Sequence, residues 1–294
     1  MTEEQKPKVL IEDDGERRFE YPTTGEDFFD SGLPKGVFSP SQFGMYRRCP
    51  RQYEYRYLKD LILAPGVSLV KGSAIHRGAE MVHKHTIKHG KPMEIEAATQ
   101  NVSDELDKKT KEIEDWEGID PVKFKDNALG NFRVYYAQAV PVIRPVAAEK
   151  TFALKIGIVP VRGVIDLIDQ IPGEYSIGDD PEQPPPMVEL VSDLKTGSKL
   201  WSPQRIAHDP QLTFYSIVEK SEFVRIDFLL DQKSGSRYEP KRSLRGVNDR
   251  RLLIEDLEEV VYLIKQGVFP RCDCTSWVCT PDFCGYYQKC RGPK

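Results

Sequence analysis

Alternating apolar and polar positions predict that the second half of the chain forms a small sheet. Stretches rich in β-branched residues predict four strands, near residues 146–156, 159–170, 187–196 and 223–232. A turn near Gly157–Pro160 indicates that the first two strands form a hairpin. Apolar residues at helical spacing predict helices within 72–140 and 203–221. The whole pattern predicts one mixed α/β domain, in which helices cover a central sheet.

The beginning of the chain has a different character. Residues 1–37 are rich in Asp, Glu, Gly and Pro and show no apolar period, so we expect an irregular acidic arm. The first residues are too acidic and polar for a signal peptide, and no apolar run approaches the roughly 18 residues of a membrane span. We therefore expect a cytoplasmic protein without membrane contact. Because the net charge is −4, any contact with nucleic acid must depend on local basic patches.

Two carboxylates and a lysine are the main chemical signal in the predicted strands. Asp166 ends the apolar run VRGVID, and Asp193 and Lys195 stand two residues apart in MVELVSDLKTG. Side chains at i and i+2 of a strand share a face, so Asp193 and Lys195 should point the same way. Such a group suits phosphodiester hydrolysis, with a divalent cation on the carboxylates and the lysine beside a water. Taken alone, an Asp-x-Lys pair is more often a surface ion pair.

Other candidate residues lie on predicted helices and loops. His76 is on the polar side of a helix over 72–90, and Gln211 and Tyr215 are one turn apart on a later helix. Glu149 is a further carboxylate at the start of the first strand, either near the site or at an edge. Residues 233–251 carry seven Lys or Arg and predict a solvated loop. Within that stretch, the best candidates for contact with a nucleic-acid backbone are Lys241, Arg242 and Arg245.

Six cysteines indicate a metal site rather than disulfides. Five of them fall within residues 272–290, and Cys49 precedes a proline far upstream. An intracellular chain of this size rarely uses disulfides, so thiolate ligation of a metal is the better interpretation.

In this order, the motifs resemble a known family. GSAIH, GVIDLID, DLKTG and Q-x-x-x-Y follow one another, with Cys-Pro upstream and cysteines at the end. Over residues 39–290 the chain resembles the RecB-like branch of the PD-(D/E)XK nucleases. It is most similar to their iron–sulfur members, the AddB-type and CRISPR-associated RecB-like exonucleases and phage relatives. The resemblance implies a restriction-endonuclease-like α/β core over 38–267, and a C-terminal segment, 268–294, whose cysteines join Cys49 in an iron–sulfur lobe.

The resemblance also implies residue roles. Its metal ligands, for Mg²⁺ or Mn²⁺, would be His76, Asp166, Asp193 and the backbone carbonyl of Leu194. Lys195 would be the catalytic lysine, and Gln211 and Tyr215 would hold DNA or the network around the site. Twenty-six residues separate the two aspartates. The Pro-rich loop 172–186 must therefore allow their strands to be neighbours, or the site cannot form.

For the cysteines, the resemblance implies a 4Fe–4S cluster with four ligands, Cys49, Cys279, Cys284 and Cys290. By ligand chemistry alone, four thiolates suit Zn²⁺ equally well. Cys272 and Cys274 are left over and could compete as ligands.

The leading functional hypothesis is a metal-dependent DNA exonuclease acting on single strands or ends, encoded by a cell or a phage. One alternative is a catalytically silent DNA-binding subunit of a helicase–nuclease or CRISPR adaptation complex. Another is a zinc-stabilised structural protein. The sequence has no G-x-x-x-x-G-K-[ST] motif, so any unwinding must come from a helicase or recombination partner.

Overall fold

A computed structural model describes residues 33, 36–173, 184–232 and 235–292, together with the backbone of 8–11 and 17–20. The chain divides into two compact units. The first comprises residues 1–63, 151–163 and 246–294, and the second comprises 64–150 and 164–245.

The described strands form two sheets. In chain order they are β1 (Lys8–Ile11), β2 (Arg17–Glu20), β3 (Pro145–Ile156), β4 (Val159–Pro172), β5 (Met187–Gly197), β6 (Phe223–Gln232) and β7 (Gly235–Leu244). β1 and β2 pair with each other, which corrects the expectation of an irregular arm for residues 8–11 and 17–20. The larger sheet has the order β3-β4-β5-β6-β7. Within it, β4–β5 and β6–β7 are antiparallel and β5–β6 is parallel. This confirms the predicted α/β fold with a mixed sheet flanked by helices.

The described helices agree with the helical patterns in the sequence. They are α1 (Pro40–Arg48), α2 (Pro50–Tyr53), α3 (Val67–His89), α4 (Ile95–Lys109), α5 (Pro121–Gln138), α6 (Pro203–Ala207), α7 (Pro210–Glu219), α8 (Val247–Lys265) and α9 (Tyr287–Arg291). The predicted helix over 203–221 is interrupted because Asp209 caps a new helix at Pro210. No helix in the described part of the chain is long and apolar enough to span a membrane.

Strand β7 corrects the expectation of a solvated loop over residues 233–251. It pairs with β6 from Phe223↔Leu244 to Gln232↔Gly235. Its side chains are exposed or half-buried, since it is the last strand of the sheet. Hydrogen bonding to β6, rather than burial, therefore defines β7, and this is why its sequence shows no apolar alternation.

Strands β4 and β5 are neighbours, as the predicted site requires. Their register runs from Leu167↔Ser192 to Pro172↔Met187. Residues 174–183 of the Pro-rich loop between them lie outside the described residues.

In the second unit, α3 packs on α4 and α5 around an apolar core. Ile75, Ala79 and Val82 contribute the buried face of α3 that the sequence predicts. A Cβ at Gly78 would come within 2.3 Å of Val102, so a glycine is needed at this close helix contact. This packing fixes the helix from which His76 extends.

In the first unit, α1 and α2 meet at Cys49. Ser39 caps α1 by accepting a hydrogen bond from the Gln42 N–H at 3.2 Å. Cys49 has extended backbone dihedrals and Pro50 begins α2, since proline is favoured in the first turn of a helix. The cysteine is therefore held at a fixed break between two helices.

Candidate functional site

Four side chains of the second unit form a continuous polar network on one face of the sheet. The Lys195 ammonium lies 2.6 Å from Asp193 Oδ2 and donates to Gln211 Oε1 at 3.0 Å. The Gln211 amide nitrogen donates to Asp193 Oδ1 and to the Tyr215 hydroxyl, each at 2.7 Å. The i, i+2 spacing on β5 and the i, i+4 spacing on α7 produce this arrangement, as the sequence predicts.

A second group forms where α3 meets the strands. His76 Nδ1 lies 3.3 Å from Asp166 Oδ2, which also accepts a hydrogen bond from the Leu194 N–H at 3.0 Å. The Leu194 backbone also hydrogen-bonds the His76 ring. The Leu194 peptide therefore lies against both side chains, between Asp193 and Lys195 in sequence.

Glu149, which we expected either near the site or at an edge, completes the second group. One ligand atom from each of His76, Glu149 and Asp166 lies within 4.8 Å of the other two. The described residues contain no other group of three or more His, Cys, Asp or Glu that meets this distance. Glu149 adopts φ of +51° within β3, a conformation that non-glycine residues rarely adopt and that is common at functional sites. No sequence motif reports such a backbone conformation.

Burial controls the charges of these groups. Burial raises the pKa of Asp166 to about 6, although the hydrogen bond from the Leu194 N–H lowers it. Burial also raises the pKa of Asp193 to about 7, although the positive charge of Lys195 lowers it. Burial disfavours the Lys195 ammonium, but Asp193 outweighs it and holds the lysine pKa above its usual value. Burial also lowers the pKa of His76. The site therefore gathers carboxylates in a poorly solvated place, where a cation is favoured.

The donor set fits a hard divalent cation. Carboxylate oxygens suit Mg²⁺ and Mn²⁺, and an imidazole nitrogen shifts the preference toward Mn²⁺. Asp193, the other acidic ligand expected from the sequence, uses both of its oxygens on Lys195 and Gln211. Its role as a metal ligand stays a prediction.

A second candidate site lies in the first unit. Five cysteines line one small cavity, namely Cys49, Cys272, Cys279, Cys284 and Cys290. All are free thiols. The Gln52 side-chain amide donates to Cys284 Sγ at 3.1 Å. Cys274 is exposed and does not line this cavity. The chain thus brings together the four cysteines expected from the sequence and adds Cys272.

The predicted DNA-binding residues differ in exposure. Arg242 is exposed on β7, and Lys241 is half-buried and paired with Glu239 at 2.8 Å. Arg245 is fully buried, and its guanidinium donates to Thr213 Oγ1 at 2.8 Å and to the Ile206 carbonyl at 2.9 Å. The assignment of Arg245 to DNA contact is therefore corrected, because these internal hydrogen bonds occupy its guanidinium.

A sequence model of the PD-(D/E)XK nuclease superfamily matches residues 37–291. No curated protein sequence matches the chain. Among solved structures, a Eubacterium rectale protein described as a "putative exonuclease" is similar over 94% of this chain and 96% of its own, with 13% identity and a TM-score of 0.51. At that identity the likeness concerns the fold alone. The protein SSO0001 aligns over 92% of this chain and 88% of its own at 13% identity, but its TM-score of 0.40 supports no argument.

We expect Glu149→Gln to weaken Mn²⁺ binding at least tenfold, since it removes a charged oxygen donor. Isothermal titration calorimetry on the purified protein measures this. Glu255→Gln is the control, because Glu255 lies on α8 in the first unit and is bound to Arg251 instead. Equal affinity of wild type and Glu149→Gln would remove Glu149 from the ligand set.

Asp193→Asn, measured in the same way, tests whether that carboxylate also binds the ion.

We expect Asp166→Asn to stabilise the metal-free protein at pH 8. The folded pKa of Asp166, about 6, exceeds the ordinary value of 3.8, so its ionisation opposes folding. This loss of folding stability is absent below about pH 4 and complete above about pH 7. There, a pKa shift of this size corresponds to about 3 kcal/mol of unfolding free energy. Urea unfolding in EDTA at pH 5 and pH 8 measures it. A gain that did not shrink at the lower pH would contradict this explanation.

Proposed function

This chain belongs to the PD-(D/E)XK nuclease superfamily. From that premise we propose that it is a metal-dependent DNA exonuclease that hydrolyses phosphodiester bonds in single strands or at DNA ends. The observation that carries the proposal is the pair of adjoining groups in the second unit. One group offers metal-binding atoms from His76, Glu149 and Asp166, and the other presents the charged Lys195. A nuclease needs both on the same phosphate.

Each group has a separate part in this proposal. A divalent cation held by His76, Glu149 and Asp166 would supply Lewis-acid polarisation of the phosphate and lower the pKa of an attacking water. Asp193 and the Leu194 carbonyl are further candidate ligands. Lys195 orients the water or stabilises the charge that develops on the phosphate, since Asp193 keeps its ammonium protonated.

The residues around Lys195 act by positioning it. Gln211 bridges Lys195 and Asp193, and the Tyr215 hydroxyl accepts from the same glutamine amide. A lysine side chain has several freely rotating bonds, so two fixed partners reduce the loss of entropy when it meets the substrate.

Three features support DNA ends or single strands as the substrate. The superfamily acts on nucleic acid, and the solved Eubacterium rectale protein is described as a "putative exonuclease". Arg242 offers an exposed cation on a chain whose net charge is −4. We further propose that any unwinding is done by a helicase or recombination partner.

For the first unit we propose a 4Fe–4S cluster bound by Cys49, Cys279, Cys284 and Cys290, with Cys272 as a competing ligand. The proposed cysteine segment is then 268–294, joined to Cys49, after a nuclease domain over 38–267 and an arm over 1–37. Cys272 lies close to two of these ligands, since its thiol is hydrogen-bonded to those of Cys49 and Cys279. By ligand chemistry alone, four thiolates suit one zinc ion equally well. The resemblance of the motif order to the iron–sulfur members of the family is what favours the cluster over zinc.

We expect Lys195→Met to reduce cleavage of labelled single-stranded DNA with Mn²⁺ by at least about 100-fold, because it removes the charged group at the phosphate. The measurement is initial rate, with 5′- and 3′-labelled strands to assign polarity. Lys88→Met, an exposed lysine on α3, is the control and should cleave like wild type.

Equal cleavage by Lys195→Met would contradict the proposed mechanism. DNA binding by wild type without any cleavage would favour the silent DNA-binding subunit instead. Neither binding nor cleavage, together with stoichiometric zinc, would favour the structural protein.

We expect Cys284→Ser to abolish the cluster, since a serine hydroxyl replaces a buried thiolate ligand. Protein purified without oxygen should be brown, absorb near 400 nm and contain about four irons per chain, as a 4Fe–4S cluster requires. Cys274→Ser is the matched control, because Cys274 is exposed and outside the cavity. Colourless wild-type protein with one zinc per chain would refute the iron–sulfur assignment.

A further inference from the structure

An indole ring packs against the register partner of Lys195 and has no part in the network described above. Trp201 follows the end of β5 by four residues and packs edge-on against Phe228, with ring centroids 5.5 Å apart and an interplanar angle of 73°. Phe228 is the register partner of Lys195 in the parallel β5–β6 pair. Paired residues of neighbouring strands project from the same sheet face, so Trp201 lies on the face that carries Lys195.

The face of the Trp201 ring is covered by a movable charged group. The Arg205 guanidinium lies 3.6 Å from the ring centroid, and Arg205 is exposed. A guanidinium is planar and so is a nucleobase, and proteins stack unpaired bases on both aromatic rings and arginine planes. The contact with Arg205 therefore shows that a planar group fits on this ring from the solvent side.

We propose that Trp201 and Arg205 form a subsite that stacks an unpaired nucleobase of single-stranded DNA next to Lys195. This inference rests on the proposed nuclease function and names the substrate class of that site. The base takes the place of the guanidinium on the indole, or stacks on its outer side, and Arg205 meets a backbone phosphate. Stacking of a base on an aromatic ring is stronger than an exposed cation–π contact, so the exchange is favourable.

The loop that carries Trp201 is suited to this role. Its first residue is anchored, because the Gln232 side-chain amide donates to the Ser198 carbonyl at 3.2 Å. Lys199 is exposed one residue later and supplies a second cation on the same loop. A stacking ring flanked by cations binds single strands without selecting a sequence, because every base has a π-face. A base inside a duplex is already stacked and cannot occupy the ring.

Binding without catalysis tests the subsite. In EDTA, a fluorescent single-stranded oligonucleotide should bind Trp201→Leu about tenfold more weakly than wild type by anisotropy, since leucine keeps the apolar contact with Phe228 but removes the stacking ring. Trp277→Leu is the control, because Trp277 also packs edge-on against a phenylalanine, Phe283, and is more exposed than the half-buried Trp201. It should bind like wild type.

A direct signal comes from fluorescence of the full chain with Trp116→Phe and Trp277→Phe, which leaves Trp201 as the remaining tryptophan of three. Single-stranded DNA should quench it, and a blunt duplex or an oligonucleotide composed of abasic sites should not. Unchanged Trp201 fluorescence with bound single strand, or equal affinity of Trp201→Leu, would overturn the subsite. Quenching by single strand in a protein that cleaves no DNA would retain the subsite and refute the nuclease.

Discussion

The pairing of β4 with β5 is the constraint on which the candidate active site depends. Their antiparallel register brings Asp166 to the Leu194 N–H, and α3 then places His76 against the same carboxylate. No residue of this group is near the others in sequence. A shift of one residue in the register would turn Asp193 and Lys195 to the opposite face, because side chains alternate along a strand. The long connection between the two strands is therefore tolerated only because the ladder itself specifies the alignment.

Burial gives this site its chemical character, as a neighbouring buried cluster in the same unit shows by contrast. Arg225 is buried and lies 2.6 Å from Asp169 and 2.7 Å from Asp227, so two carboxylates there share a permanent cation. Asp166 and Glu149 have raised pKa values because burial is not offset in that way. An unbalanced buried carboxylate costs stability, and proteins retain such groups where a bound cation or a reaction uses them.

Sequence reasoning identified the parts of the site that follow from local spacing. Asp193 and Lys195 share a face by strand alternation, and Gln211 and Tyr215 by helix periodicity. It left open whether Glu149 lies near the site or at an edge, since only the positive φ in β3 and the packing of α3 near β4 bring that carboxylate to the metal group. It misjudged Arg245, because a basic stretch does not reveal which guanidinium turns inward to backbone carbonyls. It missed β7, whose edge position removes the apolar alternation by which strands are recognised.

The catalytic groups alone do not explain a preference for single strands. These groups contact only a phosphate and a water, and both are present in duplex and single-stranded DNA alike. They are His76, Glu149, Asp166 and Lys195. Selectivity therefore requires a contact that an unpaired base makes and a paired base cannot make. An aromatic ring on the face that carries Lys195 meets that requirement, because it can stack only with a base that is not already stacked in a duplex. The phosphate chemistry and the strand preference would then come from neighbouring groups on one sheet face, joined through the register of β5 and β6.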